Sequence, residues 1–126
     1  MRFIPTQVHA IADYLGAALL IIGPFLVLST SSWGLWIPVF AGTVILLQSL
    51  FTKFELSFGK IIPMHVHLMT DFVLGFLLLV SPWMFSFSRE MFLPHVVVGM
   101  GLMGAAIFTK THEPDHTFSS PKPTMR

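Results

Sequence analysis

Four continuous apolar stretches, each close to 20 residues long, set the terms on which this chain can fold. They run from about Gln7 to Leu28, Trp33 to Thr52, His65 to Phe85 and Phe92 to Thr109. A helix rises ~1.5 Å per residue, so ~20 residues cross the ~30 Å of a bilayer's hydrocarbon. The stretches do not alternate apolar with polar, and four strands cannot close a barrel, so helices rather than strands are expected to span. Charge content agrees. Only 10% of the 126 residues are charged, against roughly 25% in a soluble domain, too few to cover a water-facing surface. The expected fold is an all-α membrane protein with four transmembrane helices. Asp13 interrupts the first stretch and no small-residue cleavage site follows it, so it reads as a retained span rather than a signal peptide.

The few charges predict orientation. Arg2 precedes the first span, Lys53 and Lys60 lie between the second and third, and Lys110, Lys122 and Arg126 follow the fourth. Only Arg89, beside Glu90, falls on the other side. The positive-inside rule then puts both termini in the cytoplasm of a multi-pass protein of the inner (plasma) membrane. Trp33, Trp36 and Trp83 gather near the opposite ends of the helices, where indoles favour the interface. A formal charge of +1 excludes nucleic acid as a partner, since that needs a basic stripe. The lipid bilayer is the expected partner, with other membrane subunits or a second copy beside it. With no cysteine, disulfides, iron–sulfur clusters and thiol catalysis are excluded.

The chain is internally duplicated. Ile4-Pro5-Thr6-Gln7-Val8-His9 aligns with Ile62-Pro63-Met64-His65-Val66-His67 at a shift of 58, which also pairs Asp13 with Asp71 and Pro24 with Pro82. Past the first span the shift becomes 57, pairing Gly42 with Gly99 and Phe51-Thr52-Lys53 with Phe108-Thr109-Lys110. The lost residue falls in the external loop, where length is easily changed. Residues 4–53 and 62–110 therefore form two tandem helical hairpin repeats, and 111–126, with prolines at 114, 121 and 123, is an expected disordered tail. Each copy holds an even number of helices, so both enter the membrane in the same orientation, related by an axis along its normal.

Ser81-Pro82-Trp83, late in the first helix of the second copy, resembles the signature of the SPW-repeat family of small integral membrane proteins. The first copy carries Gly23-Pro24-Phe25 there, keeping only the proline. The resemblance implies a bacterial-type integral membrane protein and brings no catalytic residues. Physically, each proline kinks or ends its helix and frees a carbonyl one turn back. Ser81 is able to satisfy that carbonyl in the second copy; Gly23 is not in the first.

The pattern richest in chemistry is His-x-x-x-Asp, which occurs in both copies as His9/Asp13 and His67/Asp71. A spacing of four stacks the two side chains on one helix face. Ionisable groups in a membrane helix are costly and mark candidate sites. The duplication is expected to bring all four toward one layer, where they either tie helix to helix or make His9 and His67 cofactor ligands backed by Asp13 and Asp71. His65 faces only Gln7 across the repeat and stays outside this set.

Two literal motifs lack their context. Gly99-Met100-Gly101-Leu102-Met103-Gly104 matches a dinucleotide fingerprint but lies inside a membrane helix, where Gly101 and Ala105 instead read as a close helix-packing face. His112-Glu113-Pro114-Asp115-His116 matches a zinc-protease motif, but Pro114 breaks the helix it requires. The scattered methionines read as adaptable packing. His95 pairs with Pro38 across the repeat and reads as a satisfied interfacial residue.

No nucleophile triad, acid–base pair over a pocket, or phosphate loop appears, so no enzyme is expected. The leading expectation is a non-catalytic structural, scaffold or assembly module. Behind it stand a haem b or metal redox protein using His9 and His67, and a small oligomeric channel or carrier.

Overall fold

Proline sets where the first helix of each half begins. The computed structural model describes residues 1–27 and 31–111. In it α1 (Thr6–Leu26) and α3 (Met64–Met84) follow Pro5 and Pro63, both extended at φ −63°, ψ 148° and φ −64°, ψ 145°. A proline ring fixes φ and keeps the preceding residue extended as well. Ile4 and Ile62 use that extension to form isolated parallel bridges with Thr109 and Thr52. Each entry segment therefore pairs with the exit of the other half, and the hydrogen bonds match: Lys53 N–H to the Ile62 carbonyl at 2.9 Å, Lys110 N–H to the Ile4 carbonyl at 3.0 Å.

The remaining helices are α2 (Ser32–Phe51), α4 (Ser88–Met91) and α5 (Leu93–Phe108). Ser31 caps α2, its hydroxyl accepting the Gly34 N–H at 3.2 Å. With 21, 20 and 21 residues, α1, α2 and α3 are long and apolar enough to cross a membrane. The fourth expected span is shorter. It breaks at Phe92 into the single turn α4 and the 16-residue α5, about 24 Å long at ~1.5 Å per residue. Pro94 stands in the first turn of α5, where its missing N–H costs nothing.

A left-handed residue separates α3 from α4. Ser86, at φ 60°, closes α3 with the Phe87 N–H on the Pro82 carbonyl at 2.9 Å and the Ser86 N–H on the Trp83 carbonyl at 3.4 Å. This closure turns the chain sharply at the helix end. Phe87 is thereby swung inward and buried.

α1 packs on α2, and α3 on α5. Glycine sets how close they come. A β-carbon at Gly99 would lie 2.6 Å from the Gly75 carbonyl, and one at Gly75 would lie 2.7 Å from the Gly99 carbonyl. The equivalent crossing in the first half puts Gly42 against Ala17 and Leu20. This corrects the expected packing face. A β-carbon at Gly101 would meet nothing within 4 Å, and Ala105 is only half-buried. The period of a helix does not reveal which of two nearby glycines faces its neighbour; the match of Gly99 to Gly42 does.

Leu20, Ile45, Leu74, Leu78 and Phe87 build the core between the hairpins. Leu15, Leu19, Ile22, Phe40, Val73, Phe76, Val97 and Met100 point outward and exposed. An apolar surface of that extent requires lipid. Pro24 and Pro82 lie within their helices, which run two residues further. The carbonyl that Pro82 frees is Leu78, and the Ser81 hydroxyl donates to it at 2.9 Å. The tail from 112 onward, with its His112–His116 motif, and residues 28–30 between α1 and α2 lie outside the described residues.

Candidate functional site

Four side chains meet where the two halves join. His9 and Asp13 lie in the first two turns of α1, His67 and Asp71 in the matching turns of α3, and all four are buried. His9 Nε2 is 3.1 Å from Asp71 Oδ2 and 3.3 Å from Asp13 Oδ2. His67 Nε2 is 2.8 Å from Asp13 Oδ2 and 3.1 Å from Asp71 Oδ2. Each imidazole thus meets the carboxylate of its own helix and that of the other. One ligand atom from each residue lies within 4.8 Å of every other. Among the described residues no other such group of histidines and carboxylates forms. The imidazoles stand edge to face, their centroids 5.5 Å apart.

The far side of each ring is fixed by a threonine from the opposite half. Thr109 Oγ1 lies 2.9 Å from His9 Nδ1, and Thr52 Oγ1 lies 2.7 Å from His67 Nδ1. Both hydroxyls also donate within their own helices, Thr109 to the Ala105 carbonyl and Thr52 to the Gln48 carbonyl, each at 2.6 Å. A hydroxyl has one proton. With that proton given to the carbonyl, its oxygen is left to accept, so each histidine donates from Nδ1–H and turns Nε2 toward the carboxylates. The bridges at Ile4–Thr109 and Thr52–Ile62 hold both threonines in place.

The carboxylates are held too, and less symmetrically. Gln48 Nε2 donates to Asp71 Oδ1, and Ser49 Oγ donates to Asp13 Oδ2 at 3.2 Å. Both donors come from α2; the matching positions on α5 are Ala105 and Ala106. Phe54 covers the cage, buried with its ring 6.1 Å from that of His67.

The cage and its cross-paired bridges need two copies of one hairpin. A model of the SPW repeat domain matches residues 7–109. The chain belongs to the SPW repeat family. No curated protein and no solved structure matches it. In this SPW repeat protein the signature triplet has a local purpose: Ser81 and Pro82 are buried at the end of α3, while Trp83 is exposed beside Phe92, ring centroids 6.2 Å apart.

His65 is exposed and away from the cage. His95 corrects its sequence reading. It is 2% exposed, and neither ring nitrogen has a hydrogen-bond partner among the described residues. The α4 turn and the inward Phe87, 5.0 Å from its ring, cover a position that a straight helix would have left at the interface. Reasoning from sequence also missed Thr52, Thr109, Gln48 and Ser49. The threonines were marked by the repeated Phe-Thr-Lys. Gln48 and Ser49 carried no such mark, because their counterparts are alanines.

Proposed function

We propose that this SPW repeat protein is a non-catalytic membrane module whose two hairpins are joined by a buried site for one divalent cation of the zinc class. His9, Asp13, His67 and Asp71 are its ligands. One observation carries the reading: two Nε2 and two Oδ2 atoms converge while each Nδ1 is committed to a threonine. Four lone pairs facing one another in a buried space need positive charge between them, and two carboxylates call for two units of it. Four ligand atoms around zinc at ~2.0–2.1 Å stand about 3.3 Å apart. The four nitrogen–oxygen separations, 2.8 to 3.3 Å, lie close to that, and the nitrogen–nitrogen and oxygen–oxygen pairs, within 4.8 Å, would close onto the ion. Imidazole and carboxylate donors suit such ions, and hydrogen-bonded outer partners are what such sites carry. Four protein ligands with no open position favour a structural ion over a catalytic one. The carboxylate oxygens, within reach of both Nε2 atoms, also favour a single ion over a porphyrin plane between the imidazoles.

The cage end carries Arg2, Lys53, Lys60 and Lys110, and the opposite end Arg89, which supports a cytoplasmic cage in a plasma membrane. A second reading has its own support, because the same separations are hydrogen-bond lengths: a proton on each Nε2 would balance the two carboxylates and make the cage a metal-free clasp.

The deciding measurement is elemental analysis of protein purified in mild detergent without chelator, with a visible spectrum of the same sample. One zinc-class ion per chain is expected, absent from His9→Ala and His67→Ala. A colourless preparation that takes up no added zinc would leave the clasp. A Soret band lost in both variants would make the cofactor haem.

A further inference from the structure

At the cage end, a groove of about 300 Å³ lies open on the outer surface between the start of α3 and the end of α5. Met69, Phe72 and Ile107 line its apolar part and are 71%, 39% and 50% exposed. Arg2, His65 and Thr111 line the rest, beside the helix ends where a bilayer's head groups lie. Arg2 is held there by the chain around it. The Phe3 and Ile4 N–H groups both donate to the Phe108 carbonyl, at 2.9 and 3.0 Å, and the Phe3 and Phe108 rings pack with centroids 5.4 Å apart. The Arg2 guanidinium donates from Nη1 to the Thr109 carbonyl at 3.1 Å. That bond uses one of the guanidinium's several N–H donors, and among the described residues no carboxylate pairs with it. His65 is exposed in the first turn of α3.

The first half shows how the matching place is filled from within the chain. There Tyr14 stands for Phe72, Thr6 for Met64 and Gln7 for His65. The Tyr14 hydroxyl donates to the Leu56 carbonyl at 3.0 Å, and the Thr6 hydroxyl to the Glu55 carboxylate at 3.0 Å. The segment after α2 is thereby folded back, and it brings a carboxylate to the start of α1. Phe72 and Met64 have no hydroxyl with which to hold such a segment. The second half instead sets a guanidinium and an imidazole over an apolar groove that opens to lipid.

Charge and shape together select the occupant. Guanidinium forks take phosphate oxygens two at a time. A free anion leaves the apolar part of the groove unused, and an uncharged hydrocarbon leaves Arg2 unused. The groove stands at the small end of ligand sites, ~300–1,000 Å³, enough for a head group and the start of a chain. Beyond it, Val73 and Phe76 continue the face of Met69 along α3, 57% and 53% exposed, so the chain follows the helix into hydrocarbon. We propose that this groove binds an anionic phospholipid, its phosphate held by Arg2 and His65 and one acyl chain laid along Met69, Phe72 and Ile107. The orientation proposed above puts the site in the cytoplasmic leaflet, whose surface is the negative one.

The test is native mass spectrometry of the full chain in mild detergent, with phosphatidylglycerol and phosphatidylcholine of identical acyl chains as probes. Arg2→Gln and His65→Leu remove the two head-group contacts. Lys60→Gln, at the position matching Arg2 in the repeat, loses the same charge outside the groove. Circular dichroism of each variant verifies the fold. One phosphatidylglycerol per chain is expected, held at least about tenfold more tightly than phosphatidylcholine, as charged hydrogen bonds allow. That preference should vanish in Arg2→Gln, weaken in His65→Leu and persist in Lys60→Gln. Equal retention of the two lipids, or an equal loss in Lys60→Gln, would mean general attraction to the surface and would overturn the site. Displacement of the lipid by excess inorganic phosphate would make it a free-anion site instead. Phosphatidylglycerol bound only once Glu113→Gln and Asp115→Asn are introduced would give the groove to the chain's own acidic residues and likewise overturn the proposal.

Discussion

Thr52 and Thr109 do more for the cage than their size suggests. Each spends its single proton on a carbonyl one turn back and so leaves an oxygen that only accepts. That oxygen fixes the Nδ1 side of the histidine ring. Replacing either threonine with valine keeps the shape and removes the acceptor. If the cage holds a metal ion, Thr52→Val and Thr109→Val should each weaken zinc binding about 10–100-fold, measured by competition with a chromogenic chelator. Unchanged affinity would mean that the carboxylates orient the rings by themselves. The histidine and aspartate positions were legible in the sequence because spacing and duplication both pointed to them. That they interlock across the halves was not, since a four-residue period speaks only of one helix. The unmet ring of His95 was hidden for a similar reason: its burial depends on Phe87, which reaches it through a turn at Ser86 that no glycine announces.

Among the helices, the contact between α3 and α5 is the tightest and the least forgiving. Gly75 and Gly99 set backbone against backbone, so a side chain at either meets atoms unable to rotate away. Gly99→Leu is expected to destabilise the protein by about 1–3 kcal/mol or more, as overpacking does. Gly101→Leu, two residues along and facing open space, should stay within about 0.5 kcal/mol of wild type. Thermal unfolding in detergent compares the two directly, and equal losses would contradict the packing described. The long apolar helices were legible from length and hydropathy. The division of the fourth into α4 and α5 was not, because Phe92 and Pro94 are compatible with a continuous span until Glu90 takes the Ser31 N–H at 2.7 Å and draws α4 toward the start of α2.

For the molecule as a whole, the two halves depend on each other at the cage end. Each entry segment bonds to the other half's exit, and each histidine to the other half's threonine. Cysteine labelling is expected to find residue 2 and the 53–63 segment on the cytoplasmic face and residues 87–90 outside. Termini on opposite sides would require an odd number of crossings and end the four-span account.

The crossed pairing has a consequence for how such a chain is free to change. A single hairpin dimerising about the same axis would build an equivalent cage, but it would inscribe every substitution twice. Joining the copies end to end lifts that restriction. One gene then specifies two sites from one architecture: Gln48 and Ser49 on one helix against alanines on its twin, a serine beside one proline and bare glycine beside the other. The histidines, aspartates and threonines stay matched because each serves its opposite number, so a change in one copy is felt in both. Where no such reciprocal obligation exists, near the far ends of the helices, the copies differ more freely, and there His95 stands opposite a proline, an imidazole in one half alone.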